Sequence, residues 1–371
     1  MGTLRFLLAM AVVLFHYGTV GDWLMDAHTA VKIFFIISGF YMAMILDQKY
    51  GRAPGGVRAF AINRFLRLYP LYAVVLGLTI GWYLACLLLI GDRTPVPPII
   101  ALGDNLAWWQ SAGVWISNLS LIGLDFVSCW DSVSGEGLVF LLPKATAADS
   151  ASVSLLGTVW VVQAWSISME ILFYLSAPFL FRRKTLILFG LIVVSLGCDL
   201  WLSMGLSRVT YFFAPAQWYL FLAGMVAYRA FRNFDVSDRV ARSRGAAIAM
   251  SGFLFLAIWS LPLLMADPPQ KIMLLFAVLL IPVLFALSKR SKWDRTVGNL
   301  SYPIYLSHMI VGQVLGVVLS RVGLSPEVVC VLMPLGCIVT AIALHQAIER
   351  PVERIRTAIS DRLAKSSKNL S

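Results

Sequence analysis

Apolar stretches long enough to cross a membrane alternate with short polar loops along most of the chain. A helix needs about 20 residues to cross the hydrocarbon core of a bilayer. Ten stretches of about that length predict an all-α fold, a polytopic bundle of about ten transmembrane helices. The predicted spans lie at about 4–20, 30–47, 68–90, 157–181, 185–204, 211–229, 246–265, 271–288, 299–319 and 328–348.

Basic residues concentrate in alternate loops, and with ten spans every basic loop falls on the same side of the membrane. Cytoplasmic loops carry the excess of Lys and Arg, so both termini are predicted to be cytoplasmic. The region 91–156 has few basic residues and is predicted to be extracytoplasmic, with 114–130 apolar enough to be re-entrant or interfacial. We divide the chain into a membrane domain, residues 1–349, and a basic cytoplasmic tail, residues 350–371.

Composition supports a membrane protein and excludes other classes. Hydrophobic residues make up 59% of the 371 residues and charged residues only 13%. No soluble domain needs so large a hydrophobic fraction. The net charge of +11 comes from the basic loops, so no nucleic acid partner is expected. The five cysteines form no CxxC pair and the four histidines no HExxH pattern, so no metal is expected. The first apolar run is predicted to be a retained span, because no clean cleavage site follows it.

Two ionisable residues, Arg5 and His16, share one face of the first predicted span. They are eleven positions apart, or about 16 Å along a helix. His16 lies about 18 Å from the cytoplasmic edge, where burial favours a neutral imidazole that can act as a base. Ionisable residues inside membrane spans are usually functional. The alternatives are a topological anchor for Arg5 and a structural hydrogen bond for His16.

A second polar face lies in the span at about 157–181, where Ser166, Glu170 and Tyr174 recur every four residues. Glu170 lies twelve residues before Arg182, and this count places it at the same depth as His16. A carboxylate beside a neutral histidine can fix its tautomer and stabilise the imidazolium. We therefore predict His16 and Glu170 as catalytic residues. A buried structural pair is the alternative.

Three further groups are candidates for binding. Arg64 and Arg67 share a helix face at the predicted cytoplasmic mouth, and paired guanidinium groups suit phosphate. The alternative is that these two arginines only set the orientation of the protein in the membrane, as basic residues of cytoplasmic loops do. Tyr305 and His308 lie three residues apart near the start of a predicted span, and a polar helix entry at the cytoplasmic surface is the alternative to a site. With Ser166 and Tyr174, they are candidates for substrate contact or support.

The order of these motifs resembles the acyltransferase 3 family of integral membrane O-acyltransferases over nearly the whole chain. The family's first-span signature, an arginine and a histidine separated by ten residues, falls on Arg5 and His16. Its R-x-x-R signature falls on Arg64 and Arg67, and its W-S-x-x-x-E signature ends at Glu170. The other similar segments are FFIISGF at 34–40, NRFLRLYPLY at 63–72, GNLSYPIYLSHMIV at 298–311 and ERPVER at 349–354.

The resemblance implies transfer of an acyl group, in the first place acetyl from acetyl-CoA, to a hydroxyl of a polysaccharide, oligosaccharide or lipid-linked glycan. It implies acyl-CoA as co-substrate, no metal, and a multi-pass protein of the bacterial inner membrane in contact with lipid. The phosphates of CoA would bind to Arg5, Arg64 and Arg67. A proton-coupled transporter or glycolipid flippase is the main alternative, since ten spans and mid-membrane ionisable residues suit transport equally. A scaffold subunit explains the spans but not the ionisable residues.

Overall fold

The computed structural model describes residues 1–17, 25–51, 54–90, 106–133, 137–140, 152–206, 208–264, 270–322 and 325–368. The described chain is mainly helical. The helices are α1 (Gly2–Tyr17), α2 (Ala27–Ile45), α3 (Gly56–Ala85), α4 (Trp108–Ser120), α5 (Leu124–Val127), α6 (Ala164–Phe181), α7 (Thr185–Gly205), α8 (Ala214–Asn233), α9 (Val236–Arg242), α10 (Arg244–Leu264), α11 (Gln270–Ser288), α12 (Lys292–Asn299), α13 (Ser301–Val322), α14 (Pro326–Leu344) and α15 (Arg350–Lys368).

Seven helical segments within the described ranges are long and apolar enough to cross a membrane. An eighth is formed if α9 and α10, which meet at 110°, count as one broken span. The predicted all-α, polytopic membrane fold is thereby confirmed, whereas the number of ten spans and the side of the termini stay predictions. Helix α1 has only 16 residues, and α8 contains the polar residues Gln217, Arg229 and Arg232.

The chain forms two compact units. The first comprises Met1–Phe60, Ala177–Leu188 and Leu220–Ser371, and the second comprises Ala61–Ser176 and Phe189–Tyr219. In the first unit α1 packs against α2, α12, α13 and α14. These neighbours surround the helix that carries Arg5 and His16.

The second unit contains a small antiparallel sheet that the sequence analysis did not predict. Its strands are β1 (Trp130–Val133), β2 (Gly137–Phe140) and β3 (Ser152–Ser154), in the order β2-β1-β3. Trp130 pairs with Phe140 in its register. The sheet belongs to the region predicted to be extracytoplasmic, of which residues 91–105, 134–136 and 141–151 lie outside the described ranges.

Asn118, near the end of α4, links this helix to the segment that contains Thr158 and Trp160. Its amide nitrogen donates to the carbonyl oxygens of Val114 and Thr158, and its side-chain oxygen accepts from the backbone N–H of Trp160. The residue is buried. Asn118-Leu119-Ser120 fits a glycosylation tripeptide, but this amide serves the fold because its hydrogen bonds hold it inside.

Two glycines let α2 and α8 touch through their backbones. A Cβ atom built on Gly39 would lie 1.9 Å from the carbonyl oxygen of Phe221, and one on Gly224 would lie 2.0 Å from that of Ile36. Small residues allow such close approach between membrane helices. Gly39 of the FFIISGF segment therefore has a packing role.

We expect Gly224→Ala to lower the melting temperature of the purified protein by about 5 °C or more, because the backbone of α2 must move to admit a methyl group. The measurement is thermal unfolding in detergent. Gly252→Ala is the matched control, since a Cβ at Gly252 meets no atom within 4 Å. Equal stability of the two variants would contradict the close crossing.

Candidate active site

His16 lies in the last turn of α1 with its side chain exposed. Its ring centroid lies 5.3 Å from that of His308 on α13, at an interplanar angle of 30°. Phe15 and Tyr17 contact it from the same helix, at centroid distances of 5.5 and 6.2 Å. The structure thus places the exposed imidazole of His16 beside the imidazole of His308.

His308 is completely buried. Its Nδ1 atom lies 2.7 Å from the backbone carbonyl oxygen of Tyr305. A carbonyl only accepts, so Nδ1 carries the hydrogen and Nε2 keeps a free lone pair. This Nε2 atom is buried and has no hydrogen-bond partner among the described residues. A fixed, unpaired base next to His16 is unusual, because buried polar atoms are normally satisfied.

The packing of α1 on α13 brings the two histidines together. A Cβ atom on Gly312 would lie 2.1 Å from the hydroxyl oxygen of Tyr17, so glycine makes room for this ring. The Tyr17 hydroxyl also lies 3.6 Å from the sulfur of Met309. Tyr17 therefore fixes the end of α1 one helical turn beyond His308.

The polar segment at 298–308 is largely explained by local structure. The Ser301 hydroxyl donates to the carbonyl of Gly298, and the Ser307 hydroxyl donates to that of Pro303. Tyr305 is buried, with its ring 6.1 Å from Phe34 and 6.0 Å from His308. Tyr305 contributes to the site the backbone carbonyl that fixes His308.

Arg5, at the other end of α1, is half-buried and lines a cavity of about 300 Å³. Arg64 and Arg67 are half-buried on α3, which begins in the first unit and continues in the second. They lie in the second unit and Arg5 in the first, so the clustering of all three arginines stays a prediction.

The predicted Ser166–Glu170–Tyr174 face lies on α6, and the structure connects two of its members. The Tyr174 hydroxyl donates to the carboxylate of Glu170. The Ser166 hydroxyl donates instead to the carbonyl of Gln163, at 2.9 Å. Glu170 belongs to the second unit and His16 to the first, so their pairing stays a prediction.

The sequence analysis did not single out Ser168, which forms a buried link in the second unit. Its hydroxyl donates to the Asp125 carboxylate at 2.6 Å and accepts from the N–H of Leu124 at 3.1 Å. Burial raises the pKa of Asp125 above its ordinary value, and the hydrogen bond from Ser168 opposes this shift. A serine two positions before Glu170 thus anchors α6 to α5.

The sequence analysis also passed over a polar chain in the first unit. Buried Lys32 donates to the side-chain oxygen of Gln270, whose amide donates to the Thr29 hydroxyl, each at 2.8 Å. Thr29 in turn donates to Asp26, which caps the start of α2. The sequence feature that could have revealed this polar chain is a lysine inside an apolar span.

No group of three or more potential metal ligands occurs in the part of the chain that the structure describes. Other titratable groups lie near the histidine pair: the ring centroid of His28 is 6.4 Å from that of Phe15, and the ring centroid of Tyr17 is 6.5 Å from that of His308. Imidazole groups are suited to proton transfer and nucleophilic attack.

The fold and the site define a class, a polytopic membrane protein with paired imidazoles at one end of its first helix. The chain belongs to the acyltransferase 3 family, whose model, described as an acyltransferase domain, matches residues 2–345. The resemblance noted from the sequence is therefore confirmed.

One similar curated protein is "Protein 2 in picA locus" of Rhizobium radiobacter. It is 35% identical over 79 residues, which are 21% of this chain and 41% of that protein. The match thus covers less than half of the relative's length. No solved structure matches the chain significantly.

Proposed function

We propose that the protein is a membrane O-acyltransferase that moves an acyl group, in the first place acetyl, from acyl-CoA to a hydroxyl of a polysaccharide, oligosaccharide or lipid-linked glycan. The exposed imidazole of His16 beside the unpaired Nε2 of buried His308 carries this proposal. Acyl transfer to a hydroxyl needs a positioned base, and this pair supplies one. Membership in the family supplies the reaction class.

His16 takes the proton of the acceptor hydroxyl in the proposed reaction. The hydroxyl oxygen attacks the thioester carbonyl carbon, the C–S bond breaks, and the CoA thiolate leaves and takes up the proton. In a second route His16 itself attacks and forms an acyl-imidazole, which the hydroxyl then opens. Both routes require one ring nitrogen of His16 to be unprotonated.

His308 acts as a positioning residue for His16. Its Nε2 lone pair can accept the N–H of the exposed His16 ring, which leaves the other His16 nitrogen free for the hydroxyl. The Tyr305 carbonyl fixes this arrangement because it holds the hydrogen of His308 on Nδ1. Glu170 is proposed to support the imidazolium that forms, with Ser166 and Tyr174 behind it.

Arg5, Arg64 and Arg67 are proposed to bind the phosphates of the donor, because guanidinium groups match phosphate oxygens. We place the protein in the bacterial inner membrane, with residues 1–349 as the catalytic membrane domain and residues 350–371 as a cytoplasmic tail. Cytoplasmic acyl-CoA then meets the start of α1, and the acceptor meets its end.

The proposal is tested with the purified protein, acetyl-CoA labelled in the acetyl group, and membranes that contain lipid-linked glycans. We expect the label to pass to glycan, and label on the protein when glycan is left out would favour the acyl-imidazole route. Glycan masses from cells with and without the protein then identify the acyl group. A transporter or flippase would leave the thioester intact, and that result would overturn the proposal.

A further inference from the structure

The cavity at the start of α1 combines several charged side chains with few competing acids. Its walls come from α1, α2, α11 and α12, all in the first unit. Half-buried Arg5 lies inside, and Lys289 and Arg295 are exposed. Basic residues are expected in this part of the chain because cytoplasmic segments carry an excess of Lys and Arg. That rule does not require the basic residues to line one cavity.

Asp294 is the acidic side chain on the cavity wall, and its hydrogen-bonding capacity is already used. Its carboxylate accepts from the backbone N–H of Gly2 at 2.7 Å and of Thr3 at 2.8 Å, as well as from the Thr3 hydroxyl and the amino group of Met1. The carboxylate thus caps the positive start of α1. Lys289 and Arg295 therefore add positive charge to the cavity that Asp294, occupied by the start of α1, does not neutralise.

The other polar groups on the wall suit an anion as well. Tyr41 and Asn299 offer neutral hydrogen-bond donors next to the basic side chains. Lys289 donates to the Ser237 hydroxyl, which leaves two of its three N–H groups for a ligand. A volume of about 300 Å³ is at the lower end of ordinary small-ligand sites.

We propose that this cavity binds the phosphate groups of the acyl donor, and that Lys289 and Arg295 form the site together with Arg5. The proposal rests on the proposed acyl-CoA-dependent function and adds two residues that no motif indicated. Arg5 and His16 are about 16 Å apart along α1. A donor held here by its phosphates can extend its thioester arm along that helix toward His16.

The test is the affinity of the purified full-length protein for coenzyme A, measured by isothermal titration calorimetry in detergent. We expect Lys289→Ala and Arg295→Ala each to raise Kd about tenfold, because each removes a charge-assisted contact. Arg290→Ala and Lys292→Ala are matched controls, since both are exposed basic residues close in sequence to Lys289 and Arg295 but not on the cavity wall. Their Kd should stay within about twofold of the parent, and all four variants should keep its melting temperature.

Further outcomes separate this inference from the proposed function. Equal CoA affinity in all four variants would overturn the cavity site, and transfer of label to glycan would leave the function standing. Inorganic pyrophosphate is the second probe. If it binds in a manner that depends on Lys289 and Arg295 while acyl-CoA is neither bound nor consumed, the anion site stands and the donor assignment is overturned. Failure of both probes to bind the parent protein overturns the inference outright.

Discussion

His16→Ala is expected to reduce acyl transfer by at least about 10³-fold while the protein remains folded and inserted. The substitution removes the exposed imidazole that we assign to the hydroxyl proton or to the acyl group itself. An exposed side chain at the end of a helix contributes little to folding, so stability should change little. The measurement is transfer of label from acetyl-CoA to glycan, with expression and melting temperature determined in parallel.

Phe15→Leu is the control for His16→Ala, because Phe15 lies on the same turn of α1 and is also exposed. It should keep transfer within about threefold of the parent. Full transfer by a well-expressed His16→Ala variant would remove His16 from the mechanism. An acylated parent protein and an unacylated variant would in turn favour the acyl-imidazole route.

His308→Asn is expected to lower kcat by about 10²-fold and to leave KM for acyl-CoA nearly unchanged. An asparagine amide can still donate to the Tyr305 carbonyl, as Nδ1 of His308 does, but it removes the basic Nε2 atom. The packing is therefore approximately kept while the acceptor for His16 is lost. Steady-state kinetics over a range of acyl-CoA concentrations separate the two constants.

His308→Gln and His308→Phe complete this series. Glutamine places an amide oxygen near the position of Nε2, so it should recover part of the lost kcat if that atom serves as an acceptor. Phenylalanine fills the space without any acceptor and should behave like asparagine in kcat. A folded His308→Asn protein with the parent's kcat would show that His308 only fills space in the core.

The sequence predicted the helical membrane fold because apolar length is a local property. The helices at 185–205 and 270–288 lie within a residue of the predicted spans at 185–204 and 271–288. The small sheet was missed because its strands have three or four residues and lie within a polar region. Strands so short leave no alternating pattern to detect.

Part of the candidate site was predicted because it also depends on local properties of the sequence. The positions of Arg5 and His16 on one helix face follow from local spacing, and α1 confirms that they lie on one helix. The contact between His16 and His308 joins residues 292 positions apart, and it depends on how α1 packs against α13. Spacing within a segment does not encode such packing. Likewise, the sequence positions of Lys289 and Arg295 indicated only which side of the membrane they lie on. The fold shows that both residues line the same cavity as Arg5.

The rise of α1 between Arg5 and His16 sets how far a donor must reach. The two residues are eleven positions apart on one helix, a rise of about 16 Å, whereas the hydrocarbon core is about 30 Å thick. In the proposed reaction, a donor held by its phosphates at Arg5 therefore has to span about half of this core to deliver its acyl group at His16. A single extended thioester arm can cover that distance, and the acyl group can then advance through the membrane without a carrier that moves.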